Sequence, residues 1–181
     1  MEHIVMEIPE VVLFKPKTFN DERGFFFESF RQEIFNQATQ LETKFIQENH
    51  SFSYKNILRG LHLQALPYAQ GKLVRVVRGM IFDVAVDVRK NSKTFGRYVS
   101  AVLSAENKHQ LWVPPGFAHG FLALSDAEVV YKTDQYYHKD SEKIIAWNDQ
   151  EIAIEWPSID GVQNFMLANR DIENTILLKD L

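Results

Sequence analysis

The chain is predicted to be mainly β, a jelly roll with a few short helices. From Phe45 onward, short apolar-rich runs recur between turn signals, and eight of them suit that architecture. One run, Met80 to Arg89, alternates Phe82, Val84, Val86 and Val88 with Asp83, Ala85, Asp87 and Arg89, the period of a strand with one buried face. With 181 residues the chain suits a single domain able to bury a substantial core.

At the N-terminus, residues 4 to 15 alternate loosely between apolar and polar and then meet Pro16, which predicts a strand near a sheet edge. Asn20 to Gly24 reads as a turn and Phe25 to Phe27 as a short strand. Ser29-Phe-Arg-Gln32 has the spacing of a capping box, and Phe30, Ile34, Ala38 and Leu41 recur at helical spacing, so a helix is expected over 29–39, the longest in the protein. The strands that follow are Phe45 to His50, Leu58 to Gln64, Lys72 to Arg78, Met80 to Arg89, Gly96 to Leu103, Gln110 to Val113, His119 to Ala123 and Val129 to Tyr137. Gly79 marks a tight turn, and Ser125 to Ala127 reads as the tip of a hairpin joining the His119 strand to the Tyr131 strand. Beyond Tyr137 the pattern weakens: Asp140 to Glu142 is a polar loop, Ile144 to Trp147 a further strand, Trp156-Pro157 a loop, and the last ten residues fit a short helix or coil equally. Repeats, low-complexity segments and linkers are absent from the sequence.

Composition narrows the chemistry. Apolar residues make up 45% and charged residues 24%, and no run approaches the roughly 20 apolar residues needed to span a bilayer, so a membrane location is not expected. The N-terminus shows no basic segment followed by an apolar core, which makes the cytoplasm the expected compartment. With no cysteine, disulfides, thiol catalysis and thiolate metal sites are excluded. A net charge of -4 argues against a nucleic-acid partner. An anionic small ligand needs only a few local cations, and Arg23, Arg59, Lys72, Arg75 and Arg170 are available.

The stretch Arg59 to Lys72 concentrates functional groups. In a strand, His62 and Gln64 point to one face while Leu61 and Leu63 point to the other. Pro114-x-Gly116-x-x-His119 resembles the second signature of the cupin superfamily, whose fold is a double-stranded β-helix, and Gly60-x-His62-x-Gln64 sits where the first signature carries His-x-His. Metal-binding cupins place a second histidine and a carboxylate in that region, where this chain has Gln64 and the cation Lys72. An ammonium beside neutral imidazoles makes a poor metal site, so a metal-free site is expected.

A closer resemblance extends over nearly the whole chain. Arg23-Gly-Phe-Phe-Phe-Glu28, Gln47-Glu-Asn-His50, Leu58-Arg-Gly-Leu-His-x-Gln64, Ala69-Gln-Gly-Lys72, Phe82-Asp-Val-Ala-Val-Asp87 and Pro115-Gly-Phe-Ala-His-Gly-Phe121 resemble the dTDP-4-dehydrorhamnose 3,5-epimerases. The resemblance implies a cofactor-free, metal-free isomerase of dTDP-L-rhamnose biosynthesis, acting on a dTDP-sugar. It implies His62 as base, Asp171 as its paired carboxylate, Lys72 as the cation at the developing oxyanion and Tyr131 as the acid. Such a reaction removes a carbon-bound proton beside a C4 ketone, holds the enolate and returns a proton to the opposite face. Imidazole, titrating near neutral pH, suits the first step, and an unionised phenol suits the last.

The same resemblance implies Arg59 and Arg170 as pyrophosphate partners, with Arg170 where the family usually has lysine. It also implies Tyr137 as a stacking surface for thymine, and Arg23, Glu28, Gln47, Asn49, Gln64, His119 and Glu142 as substrate-binding positions. The Arg23 to Glu28 segment is expected to reach a partner's site, so a homodimer with exchanged N-terminal strands is expected. Three alternatives stay open: an enzyme inverting only C3 or only C5, a metal-dependent cupin enzyme, and a non-catalytic sugar-binding cupin. Gln64 and Lys72 disfavour the second, and the third has no need for a base, a cation and a tyrosine together.

Overall fold

The structure, a computed structural model, describes residues 1–159, 161 and 165–181. Two antiparallel sheets pack face to face in the jelly-roll arrangement that the sequence predicts. The elements are β1 (Glu2–Val5), β2 (Val12–Lys15), β3 (Thr18–Asp21), β4 (Gly24–Phe27), α1 (Gln32–Thr39), β5 (Gln47–Ser53), β6 (Leu58–Gln64), β7 (Lys72–Arg78), β8 (Met80–Asp87), β9 (Tyr98–Ser104), β10 (Gln110–Val113), β11 (Phe117–Ala123), β12 (Ala127–Thr133), β13 (Glu142–Ile144) and α2 (Arg170–Glu173). Single 3-10 turns cover Lys139–Ser141 and Leu178–Asp180. The six-stranded sheet runs β1-β2-β10-β7-β12-β5 and the five-stranded sheet β13-β6-β11-β8-β9. β3 and β4 form a separate two-stranded ribbon.

Three apolar layers follow from this arrangement. Leu13, Val74, Val76, Leu111, Val113 and Val129 of the six-stranded sheet meet Ile81, Ala85, Val99, Leu103, Phe117 and Phe121 of the five-stranded sheet. On the outer face of the five-stranded sheet, Leu58, Leu61, Leu63, Val84 and Val86 lie under Ile152, Trp156, Ile159 and Leu178 of the C-terminal segment. On the outer face of the six-stranded sheet, Phe35 of α1 packs with Val12, Phe14, Leu73 and Trp112. Its ring stands edge-on to Trp112 at 5.0 Å, and burying one such side chain contributes roughly 1.5–3 kcal/mol.

β8 is therefore covered on both faces, whereas its alternation predicts one buried face. The C-terminal segment supplies the second cover, and Asp83 and Asp87, both fully buried, face the inter-sheet layer with partners of their own. Asp87 accepts from Arg89, Ser92 and Thr94, closing the loop after β8. Hydrogen bonds from these groups outweigh the cost of burial and hold its carboxyl down at about 2.

Two further expectations are corrected. The Ser125 to Ala127 turn is not a hairpin tip, because β11 lies in the five-stranded sheet and β12 in the six-stranded sheet. It is a corner that carries the chain from one sheet to the other, as Gly79, at φ +74°, does between β7 and β8. α1 begins at Gln32 with Arg31 as its N-cap and no side-chain cap, so the Ser29-to-Gln32 capping box is not formed. The buried helix residue is Phe35, one position beyond the predicted Ile34 stripe. Glu142, expected in a loop, opens β13.

Candidate active site

The edge strands β5 and β13 are linked through Tyr137, whose amide donates to Gln47 of β5 and whose hydroxyl donates to Glu142 of β13, and the cleft holding the candidate residues runs inward from there to β6, β7 and β12. β6 builds one wall through an irregularity. His62 pairs with His119 while Arg59 pairs with Phe121, so three residues of β6 span two of β11. Because of this bulge, Arg59 and His62 share the inward face despite their odd spacing. Gly60 sits in it at φ +130°, and a Cβ there would lie 2.6 Å from the Cα of Gly120 and 3.0 Å from the His119 carbonyl. Both are backbone atoms that cannot step aside. Gly60→Ala should therefore lower stability by about 2–5 kcal/mol, combining positive-φ strain with overpacking, as read from the urea midpoint. An unchanged midpoint would show that the bulge relaxes freely.

His62 is held from behind. Its Nε2–H donates to Asp171 Oδ1 at 2.8 Å, an assignment forced by a carboxylate that can only accept, and this leaves Nδ1 as the basic nitrogen. Asp171 comes from α2 and is 2% exposed. Burial lowers the His62 pKa below the usual imidazole range, with the positive charge of Lys72 adding to the fall and the Asp171 hydrogen bond opposing it. Burial raises Asp171, yet the hydrogen bond and charge of His62, with Arg170 nearby, outweigh it and keep its carboxyl below the ordinary value. The imidazole is thus neutral and oriented near pH 7, and Asp171 is ionised.

The opposite wall belongs to the six-stranded sheet. Tyr131 pairs across β12 with Asn49 on β5 and Val74 on β7, and Lys72 precedes Val74 by two residues, so Tyr131, Asn49 and Lys72 share one face. Val74 and Val76 are buried in the inter-sheet layer, so Lys72, of the same parity on β7, faces inward as well. Burial brings the Lys72 ammonium down to about 8, with Glu142 and Asp83 opposing the fall. Among the described residues, its ammonium makes no hydrogen bond within 3.5 Å and no ion pair within 4.0 Å. Burial raises the Tyr131 hydroxyl above its usual pKa, keeping it protonated, while a hydrogen bond with Asn49 acts the other way.

Polar groups continue outward along the cleft. Arg59 donates through Nε to Ser53 Oγ and through Nη2 to the Phe52 carbonyl, both at 2.9 Å. Gln47 donates to Asn49 at 2.9 Å and accepts from the Tyr137 amide at 3.3 Å. The half-exposed Tyr137 donates its hydroxyl to Glu142 at 3.1 Å, and the same carboxylate meets Arg170 at 3.5 Å. His119, 7% exposed, donates through Nε2 to Asp83 Oδ1 at 2.7 Å.

The structure thus brings His62, Lys72, Tyr131 and Asp171 together with Gln47, Asn49, Arg59, Gln64, His119, Tyr137, Glu142 and Arg170. Gln64 faces inward, but its amide is committed to backbone. It donates to the carbonyls of Tyr68 and Tyr136 at 2.7 and 3.2 Å and accepts from His138 N at 2.7 Å. Its observed work is to tie the segment before Lys72 to the segment carrying Tyr137. Arg75 lies on the other face of β7 beside Phe30 and Glu48, away from the cleft. Arg23 and Glu28 also stand apart: Arg23 is 85% exposed and paired with Asp21, and Glu28 pairs with Arg31. Two contributors were missed as site residues. Asp83 had a visible signal, an acid inside the valine-rich Phe82 to Asp87 run, and Gly60 had one in its place beside two functional residues.

Among the described residues, no group of three or more His, Asp or Glu side chains is arranged to hold a metal ion. A separate cavity of about 930 Å³, lined by Leu63, Leu66, Val88, Lys93, Lys143 and Leu181 among others, borders the cleft only at Gln64. It contains none of the four proton-transfer candidates.

Comparison with known proteins gives this geometry a family. Residues 5–179 match the family described as dTDP-4-dehydrorhamnose 3,5-epimerase. The chain is 58% identical over 173 residues to the enzyme of that name from Shigella flexneri, covering 95% of this chain and 93% of that one. It is 55% identical over 163 residues to the one from Escherichia coli K12, covering 90% and 88%. Its fold superimposes with a TM-score of 0.92, at 44% identity over 98% and 93% of the two chains, on a dTDP-6-deoxy-D-glucose-3,5-epimerase from Legionella pneumophila solved with dTDP-4-keto-L-rhamnose. This chain belongs to the dTDP-4-dehydrorhamnose 3,5-epimerase family.

Proposed function

We propose that the protein inverts C3 and C5 of dTDP-4-dehydro-6-deoxy-D-glucose to give dTDP-4-dehydro-L-rhamnose, a step of dTDP-L-rhamnose biosynthesis. The observation that carries this reading is the placement of His62 and Tyr131 on opposite sheets, with Lys72 in the same inter-sheet space. Inversion at carbon needs a base on one face and an acid on the other, and the two sheets supply them. His62 Nδ1 takes the proton from the carbon beside the C4 ketone, and the C–H electrons move into the enolate. The negative charge grows on the C4 oxygen against Lys72, a preorganised cation between the two sheets. Tyr131 then gives its hydroxyl proton to the opposite face of the same carbon. C3 and C5 both flank C4, so one constellation serves each centre in turn.

The outer cleft suits the nucleotide. Arg59 and Arg170 carry charge for the pyrophosphate, Tyr137 offers a ring for the thymine, and Gln47, Asn49, His119 and Glu142 supply hydrogen-bonding groups along the sugar. In deuterium oxide, the 4-keto sugar nucleotide should gain deuterium at both C3 and C5, observed by NMR. Exchange at C3 alone would reduce the enzyme to a 3-epimerase, and exchange at neither carbon would refute the reading.

The active form in this reading is a homodimer of single-domain subunits. The β3–β4 ribbon pairs with neither main sheet and presents Phe19, Phe25 and Phe26 at 55, 58 and 71% exposure, a large apolar surface for an isolated hairpin. Exchange of this ribbon would bring Arg23 and Glu28 to the partner's cleft. Sedimentation should then give twice the 21.1 kDa chain mass. None of the helices among the described residues is long and apolar enough to cross a membrane, and a cytoplasmic setting accords with a nucleotide-sugar substrate.

A further inference from the structure

Asp83 is a buried charge that the proton-transfer scheme leaves without a role. It lies on β8 at 0% exposure, facing the inter-sheet layer. Oδ1 accepts from His119 at 2.7 Å, but Oδ2, also buried, has no hydrogen-bond partner among the described residues. A half-satisfied carboxylate in the interior is costly, and it persists where its charge serves something else. The complementary orphan faces the same inter-sheet layer. Lys72, on the inward face of the facing sheet and partly exposed, makes no direct hydrogen bond or ion pair among the described residues, and Asp83 and Glu142 are the two anions acting on it.

We propose that Asp83 is a positioning residue with two duties: through Oδ1 it fixes the ring of His119, and its free oxygen serves as counter-ion to the Lys72 ammonium. The arrangement leaves the ammonium electrostatically supported yet free of a direct hydrogen bond, so its protons remain available to an oxyanion. A direct ion pair would spend them. This assignment rests on the reading of Lys72 as the enolate partner. The groups that act on Lys72 are Asp83 from β8 and Glu142 from β13, and Lys72 in turn acts on His62 of β6. Removing the charge of Asp83 takes away one of two supports for the ammonium.

The test is Asp83→Asn, which keeps the volume and an acceptor for the His119 N–H. Lys72 is titrated in protein labelled with 13C at the lysine ε-carbons, its resonance assigned by Lys72→Arg. The wild-type value near 8 should fall to about 7, the size expected for loss of a nearby opposite charge. An unchanged or higher value overturns the proposal. If the asparagine variant does not fold, Asp83→Ser, smaller and still able to accept from His119, carries the same titration with the same two outcomes. Turnover gives a separate reading: the ratio of kcat/KM at pH 8.5 to that at pH 6.5 should drop about five- to ten-fold in the variant. A uniform loss at both pH values would mark Asp83 as merely structural and overturn the counter-ion role. Because the titration needs no substrate, a fall in the Lys72 value in a protein without epimerase activity would support the coupling while refuting the catalytic reading.

Discussion

In deuterium oxide, His62→Ala should lower exchange at C3 and at C5 together by at least ~10²-fold, the size typical of a lost general base. The two losses should match because one base, His62, held by Asp171 at 2.8 Å and 16% exposed, serves both carbons in this reading. Burial lowers its pKa, so most of it is neutral and ready to accept a proton at pH 7. Retention of exchange at either carbon would mean that a second base serves that centre. Tyr131→Phe separates the opposite face: exchange should persist while formation of inverted product falls, since the proton taken by His62 can return from the side it left. Equal product formation would remove the hydroxyl from the mechanism.

What the sequence made legible is what local alternation and punctuation encode. β6, β7 and β10 begin and end where their apolar and turn residues say they should. Lys72 could be placed inside because Val74 and Val76 share its parity within an uninterrupted strand. Expectations failed where distant parts of the chain decide. β8 reads as half-buried because nothing local announces that Ile152, Trp156 and Leu178 will cover its other face. The turn at Ser125 reads as a hairpin because corner and hairpin share turn chemistry, and only the pairing of β11 with β8 and of β12 with β7 separates them. The α1 capping box does not form because Arg31, not Ser29, takes the N-cap position, so the helix starts at Gln32, two residues later than a Ser29 cap would set it, and the Ser29 carbonyl accepts from Gln110 instead.

The site divides the same way. His62 was readable as a chemical group, but its dyad with Asp171 joins residues 109 positions apart. The alternation rule also assigns Arg59 and His62 to opposite faces. It takes the Gly60 bulge, recognised only from pairing with β11, to put the pyrophosphate candidate and the base in one cleft. Gln64 shows the converse: its type and parity suit substrate binding, and the backbone of two neighbouring segments takes up its amide instead.

Lys72→Met should cost ~10²–10³-fold in kcat/KM, the loss expected when one preorganised donor to a developing oxyanion is removed, and the loss should fall on kcat more than on KM. The pH profile identifies the cause. Lys72 acts as an ammonium, so wild-type activity should decline as pH rises through about 8. His62 acts as a neutral base, so activity should also decline as pH falls through its depressed pKa. Methionine has no proton to lose, and the Tyr131 hydroxyl titrates above its ordinary value, so the alkaline limb near 8 should vanish in the variant. The acid limb should move the other way: Lys72 is one of the charges that lower the His62 pKa, and its removal should carry that limb toward higher pH. A variant that loses activity but keeps both limbs would have lost packing rather than an oxyanion partner. Loss of the alkaline limb with an upward shift of the acid limb requires the ammonium and the imidazole to face one another across the same substrate pocket.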